Sequence, residues 1–230
     1  MTSTPPTSAP TTAKRRPQSG PPLLAPVLAF TALTIAYVVA NRSTPHPDAT
    51  GADVLHYAVT HGTTIKLGAF LLFSSAVPLA VTAAVLHRRL RSLGSTAPGS
   101  AITLVGGVLA AAALTLGALF GWTGGRLPAD ADPVLARALA DLAFLAGGPG
   151  YTVTFALLIA GVSVTGLLAG LLPKAVTWTG LALAAVGVLS GFTLLAAGFG
   201  YLLPVVRFGG LIWLVAAAAL LPRTRPSRHQ

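Results

Sequence analysis

Few residues in this chain carry chemistry, and their positions limit what that chemistry can be. His46, His56 and His61 lie near Asp48 and Asp53, between the first two apolar runs. Imidazole and carboxylate together ligate Zn²⁺. Asp53 and His56 would share a face if their segment were helical. His56 and His61 are five apart, off a common face, and no ligand pairs at zinc spacing are present. The segment therefore reads as a solvated polar loop. Ser190, in Gly187-Val188-Leu189-Ser190-Gly191, has the setting of an intramembrane serine nucleophile. Such a serine needs a base. No histidine lies in an apolar run, and Lys66 sits on a different run, so Ser190 reads as a packing serine. Lys66, Asp141 and Arg207 stand at the outer ends of the second, fourth and sixth runs. Facing inward, they would form an outer polar pocket. Facing outward, they would only snorkel to water. Arg137 lies one helical turn before Asp141 and is its nearest partner.

The exclusions are firmer. The chain has no cysteine, which removes disulfides, thiolate catalysis and cysteine-held metal. All five histidines fall outside the apolar runs, where a membrane b-type haem could not use them. No cofactor is expected. No charged residue sits near the centre of a run, which weighs against a proton-coupled carrier.

The elements that would position these residues are transmembrane helices. The chain is 53% hydrophobic and 9% charged. A soluble domain carries about 25% charged residues. The net charge of +10 would suggest nucleic acid in a soluble protein. Here the basic residues cluster at run ends and tails, so the expected partner is the lipid bilayer. The expected fold is all-α, a bundle of six transmembrane helices plus a short amphipathic outer helix. The spans are Pro22–Ala40, Ile65–Leu86, Ala101–Gly121, Tyr151–Leu172, Val176–Ala197 and Val205–Leu221. The first resembles a signal peptide but is too long for one, and reads as an uncleaved helix. Residues 1–20 and 223–230 are expected to be tails, the first disordered. Trp122, Trp178 and Trp213 lie near span ends, as interfacial anchors do. Gly117–Gly121, Gly166–Gly170 and Gly187–Gly191 allow close helix approach within the chain, or between copies in a homo-oligomer.

Two features break the regular pattern. Asp132-Pro133 marks a helix start, an N-cap followed by proline at the first turn. That helix runs into Gly147-Gly148-Pro149-Gly150, which should end it, kink it or mark where the chain enters the membrane. A faint repeat also exists. Ala52-Asp53-Val54-Leu55 echoes Ala131-Asp132-Pro133-Val134-Leu135, as a parallel duplication would.

The runs Pro173-Lys174-Ala175-Val176-Thr177-Trp178 and Pro204-Val205-Val206-Arg207-Phe208-Gly209-Gly210, with Gly147–Gly150 and Val77-Pro78-Leu79-Ala80, carry a resemblance. They resemble six-span integral membrane proteins of actinobacteria grouped under domains of unknown function. The resemblance implies the six-helix architecture and no catalytic residue.

The sequence thus points to a non-enzymatic integral membrane protein of a bacterial plasma membrane. A small permease or exporter of a lipid-like or apolar solute is the alternative, and an intramembrane enzyme the third reading. Basic residues favour the side holding both termini and the Arg88–Arg91 loop, which is therefore expected to be cytoplasmic. In this cysteine-free chain, Ser43→Cys should react with an impermeant thiol reagent in intact cells and Ser95→Cys should not. The opposite pattern would invert the topology.

Overall fold

In hydrocarbon every backbone amide must pair within the protein, so apolar runs of spanning length become helices. The structure, a computed structural model, describes residues 22–94 and 98–222; the expected tails at 1–20 and 223–230 and the loop position Ser95 lie outside these. Among the described residues every regular element is helical. The elements are α1 (Leu24–Ala40), α2 (Gly51–Ser92), α3 (Gly99–Gly124), α4 (Pro133–Leu145), a π-helical turn (Ala146–Gly150), α5 (Tyr151–Leu168), α6 (Lys174–Ser190), 3₁₀ turns Gly191–Leu194 and Ala197–Tyr201, and α7 (Leu202–Leu220). Among the described residues five helical stretches are long and apolar enough to cross a membrane, and α1, at 17 residues, is shorter.

The helices form a closed ring in which α1 packs on α2, α2 on α3, α3 on α5, α5 on α6, α6 on α7, and α7 again on α1. The core is centred on α5, whose Tyr151, Phe155, Leu158, Ile159 and Val162 are fully buried. Phe155 stacks on Tyr151 at 5.2 Å and meets the edge of Phe30 from α1 at 6.1 Å. Around this core Phe70, Phe73, Val77, Leu116 and Ile212 point outward, exposed. A surface this apolar suits lipid. All five acidic residues lie at one end of the bundle, with the 41–50, 125–132 and 191–201 connections. We call this the acidic end.

The structure corrects the expected boundaries in four places. The segment read as a polar loop from Asn41 to Thr64 is helical from Gly51, so α2 runs 42 residues, or about 63 Å. That is about twice the hydrocarbon core. Its polarity concealed a sound start. Thr50 is the N-cap, accepting from the Asp53 amide at 3.2 Å while its hydroxyl donates to the Asp53 carboxylate. α2 kinks once, at His61, whose φ/ψ of −117°/21° leave the helical region. There a side chain on Gly62 would meet the Gly125 carbonyl at 2.8 Å.

Secondly, Gly147–Gly150 interrupts the α ladder between the outer helix α4 and the fourth span, as expected, but it does so without ending the helix. The chain passes through it as a π turn with αR dihedrals on either side, giving one helical run from Pro133 to Leu168. Proline cannot donate in an α ladder. The wider turn absorbs that loss. Thr154 donates to the Gly150 carbonyl, and Thr152 to that of Pro149. Gly117 of α3 lets the turn approach closely, since a Cβ there would stand 3.0 Å from the Gly147 nitrogen. Thirdly, the fifth span ends early, at Ser190, where 3₁₀ turns replace the expected helix to Ala197. Fourthly, Trp213 is no interfacial anchor. It is buried, and its indole N–H donates to the Val176 carbonyl of α6 at 2.8 Å.

The tightest helix contact is α3 against α5. A Cβ on Gly106 would collide with the backbone of Leu157 and Leu158, and one on Gly161 with Gly99 and Thr103. Gly106→Ala must push two backbones apart, an overpacking cost of about 1–3 kcal/mol. Gly121 has nothing within 4 Å of such a Cβ. Gly106→Ala should therefore clearly lower the melting temperature in detergent while Gly121→Ala leaves it unchanged or raised. Equal responses would refute the close-packing account.

Candidate functional site

Helix α4 starts as its sequence specifies, with the Asp132 carboxylate accepting from the Val134 amide at 2.8 Å. Its exposed face is the large apolar one. Val134, Leu135 and Leu142 turn outward, while Ala136, Arg137, Ala140 and Asp141 face the bundle. This is the reverse of the usual amphipathic arrangement of a helix at a water-facing surface.

Arg137 and Asp141 form a two-point ion pair, Nε to Oδ2 at 3.0 Å and Nη2 to Oδ1 at 2.9 Å. The remaining Nη1 donates to the Ala49 carbonyl at 2.6 Å. One guanidinium thus ties α4 to the connection between α1 and α2. That connection is further held at Asn41, whose amide side chain donates to the Tyr37 carbonyl and fills the space left by Gly68 of α2.

These contacts roof a cavity of about 230 Å³ at the acidic end, between α1, α2, α3 and α4. Its walls are mainly apolar, including Ile65, Leu72, Ala118 and Phe144. Asn41, His46 and the Arg137–Asp141 pair supply polar groups. Tyr57 also lines it, stacked on His61 at 4.5 Å, with a buried hydroxyl that has no hydrogen-bond partner among the described residues. The lining reaches no deeper than Leu72 on α2 and Gly117 on α3, and the next turns carry the buried Leu79 and Leu114. Such a site can hold a small, largely apolar molecule and orient it with one or two hydrogen bonds.

Arg207 lies elsewhere. It points inward from α7, donates to the Gly147 carbonyl of the π turn, and sits over the rings of Tyr151 (5.2 Å) and Tyr37 (5.9 Å). In a regular α-helix the Gly147 carbonyl would accept from the Tyr151 amide. That amide reaches Ala146 and Gly148 instead, so the displaced ladder offers Gly147 to Arg207. Arg207 lines a second cavity of about 300 Å³, and Tyr37 and Phe144 line both cavities.

The three candidate residues are therefore not brought to one place. Asp141 lines the first cavity, Arg207 the second, and Lys66 neither. Lys66 is exposed on α2 beside the exposed Leu67 and Phe70, the snorkelling position. Ser190 is fully buried, donates to the Gly187 carbonyl at 2.6 Å and lies 2.8 Å from the Thr152 hydroxyl oxygen. It packs α6 on α5. Among the described residues no three metal-ligating side chains gather; His46 pairs with Asp48 in solvent and His61 stacks on Tyr57. Tyr37, Tyr57 and Phe144 line cavities without having been singled out in the sequence. The one available signal was aromatic residues near polar breaks.

The pair energetics separate its two members. Asp141 is 44% exposed, so Asp141→Ala should cost only the about 0.3–0.5 kcal/mol of an i,i+4 pair. Arg137→Ala also loses a charged hydrogen bond to Ala49, worth about 1.5–3 kcal/mol. Thermal unfolding of the two variants should rank them in that order. An Asp141→Ala loss like that of a truncated core leucine, about 2–5 kcal/mol, would refute the ranking. Comparison with family models, curated proteins and solved structures returns no match.

Proposed function

We propose that this helical membrane protein binds a small, largely apolar solute in the cavity at its acidic end. The supporting observation is the cavity itself, with apolar walls, an orienting ion pair at the rim and the unpartnered Tyr57 hydroxyl. A purely structural bundle would fill this space with side chains, as this chain does around Tyr151 and Phe155. The permease or exporter reading stands second, favoured by the walls of Tyr37 and Phe144 common to both cavities. Among the described residues no base lies within hydrogen-bond reach of Ser190, and the enzyme reading gains no support there.

The same reading puts the acidic end outside a bacterial plasma membrane and both termini in the cytoplasm, in keeping with the resemblance to actinobacterial six-span proteins. Arg88, Arg89, Arg91 and Lys174 lie at the opposite end, against Arg42, Lys66, Arg126, Arg137 and Arg207 at the acidic end. The described residues are thus nearly balanced. The asymmetry comes from Lys14, Arg15, Arg16, Arg223, Arg225 and Arg228 in the tails.

Filling the cavity is the test. Ala140 lines it from α4. Reconstituted protein should bind the small apolar fluorophore 1-aminoanthracene saturably above the background of protein-free vesicles. Ala140→Phe should weaken this at least about tenfold, or about 1.4 kcal/mol, without unfolding the chain. Absence of saturable binding, or binding indifferent to the substitution, would refute the proposal.

A further inference from the structure

The second cavity supports a separate inference, independent of whether the first is occupied. Arg207 forms no ion pair with any described carboxylate; the ion pairs among the described residues are His46–Asp48 and Arg137–Asp141. A guanidinium carries five N–H donors. One goes to the Gly147 carbonyl, while Tyr37 and Tyr151 present ring faces. The charge is therefore held in place, partly buried, and without a carboxylate counter-ion among the described residues. A cation in that setting within a membrane is costly unless an anion accompanies it.

The remaining walls say which anion. Val38, Leu203 and Phe208 are apolar, and Gly148 and Gly200 present bare backbone. The cavity lies between the end of α1, the π turn and the start of α7, where the neighbouring Val39, Tyr201 and Phe208 are exposed on the lipid-suited surface. A ligand reaching Arg207 from that side must combine a compact oxyanion with an apolar tail. Phosphate oxygens match the guanidinium fork by two parallel hydrogen bonds.

We propose that Arg207 and the cavity beside the π turn bind the phosphate headgroup of an anionic membrane amphiphile, with its acyl chains lying along Phe208 on the bundle surface. Arg207 then serves two partners, bracing the π turn through Gly147 and neutralising the headgroup. The site takes the head from the bilayer, at the level of the acidic end.

The test is thermal unfolding of the full chain in neutral detergent. Dioleoyl phosphatidic acid should raise the melting temperature by about 5 °C at saturation. Dioleoylglycerol, with the same chains and no phosphate, should not. Arg207→Gln should abolish the shift. Because that variant also loses the brace on Gly147 and can misfold, Val38→Trp serves as the second variant: it fills the cavity and leaves Arg207 in place. Val38→Trp should fold and lose the shift. A shift of equal size with dioleoylglycerol would overturn the proposal by removing the headgroup. One with inorganic phosphate alone would overturn the amphiphile in favour of a free anion site. Full retention of the shift in Val38→Trp would overturn the location.

Discussion

Backbone amides that cannot reach water must find partners inside the protein, and the turn at Gly147–Gly150 shows how strictly this chain obeys that constraint. Two glycines, a proline and a further glycine would end a helix in water, where loose amides can hydrate. In the bundle the helix goes on. It widens for one turn, and side chains take up what the ladder releases: Arg207 donates to Gly147, Thr154 to Gly150 and Thr152 to Pro149. The absence of side chains on the glycines also permits the crowding that the turn needs. Gly117 of α3 closes on it from one side, and Leu203 of α7 lies 3.4 Å from where a Cβ of Gly148 would stand.

This local solution sets the larger geometry. Because the helix is not broken, α4 extends the α5 helix beyond the core, and the first turns of α2, before its kink at His61, extend beyond it as well. The two extensions meet where Gly51 lies against the Pro133 backbone. They form a second storey on the bundle, at the end holding every acidic residue. The first cavity is the gap within that storey. Arg137 holds it closed at one corner through Asp141 and Ala49. The second cavity lies on the other side of Tyr37 and Phe144, under Arg207. One arginine per cavity, each with a different backbone carbonyl as partner, is the plan of this end of the molecule.

Packing in the span region follows a different rule. With lipid as apolar as leucine, close approach of small residues replaces hydrophobic burial as the source of helix cohesion. Gly106 and Gly161 bring α3 and α5 together, and Gly187 brings α6 against Ala156 of α5. A Cβ on Gly121 or Gly170, the second members of two G-x-x-x-G pairs, would meet nothing within 4 Å. The motif alone therefore did not tell a packed glycine from a terminal one.

Hydropathy determined the number of apolar helices and their approximate positions, because a run long enough to cross has one way to satisfy its backbone. The N-cap at Asp132 and the Arg137–Asp141 pair were also legible, since both are contacts within one turn. The α-helical state of Gly51–Thr64 was not. Its polar composition resembles a loop, and its helix depends on the Thr50 cap and on support from Pro133 and Gly125, more than sixty residues away in sequence. Nor could the sequence say which way Lys66 and Arg207 face. Both sit near span ends in polar-flanked runs, and only the rotation of α2 and α7 in the ring sends one to lipid and the other onto Gly147. The orientation of α4 is the clearest case. Its periodicity specified an apolar face and a polar face, but packing against the neighbouring helices decided that Val134, Leu135 and Leu142 turn outward.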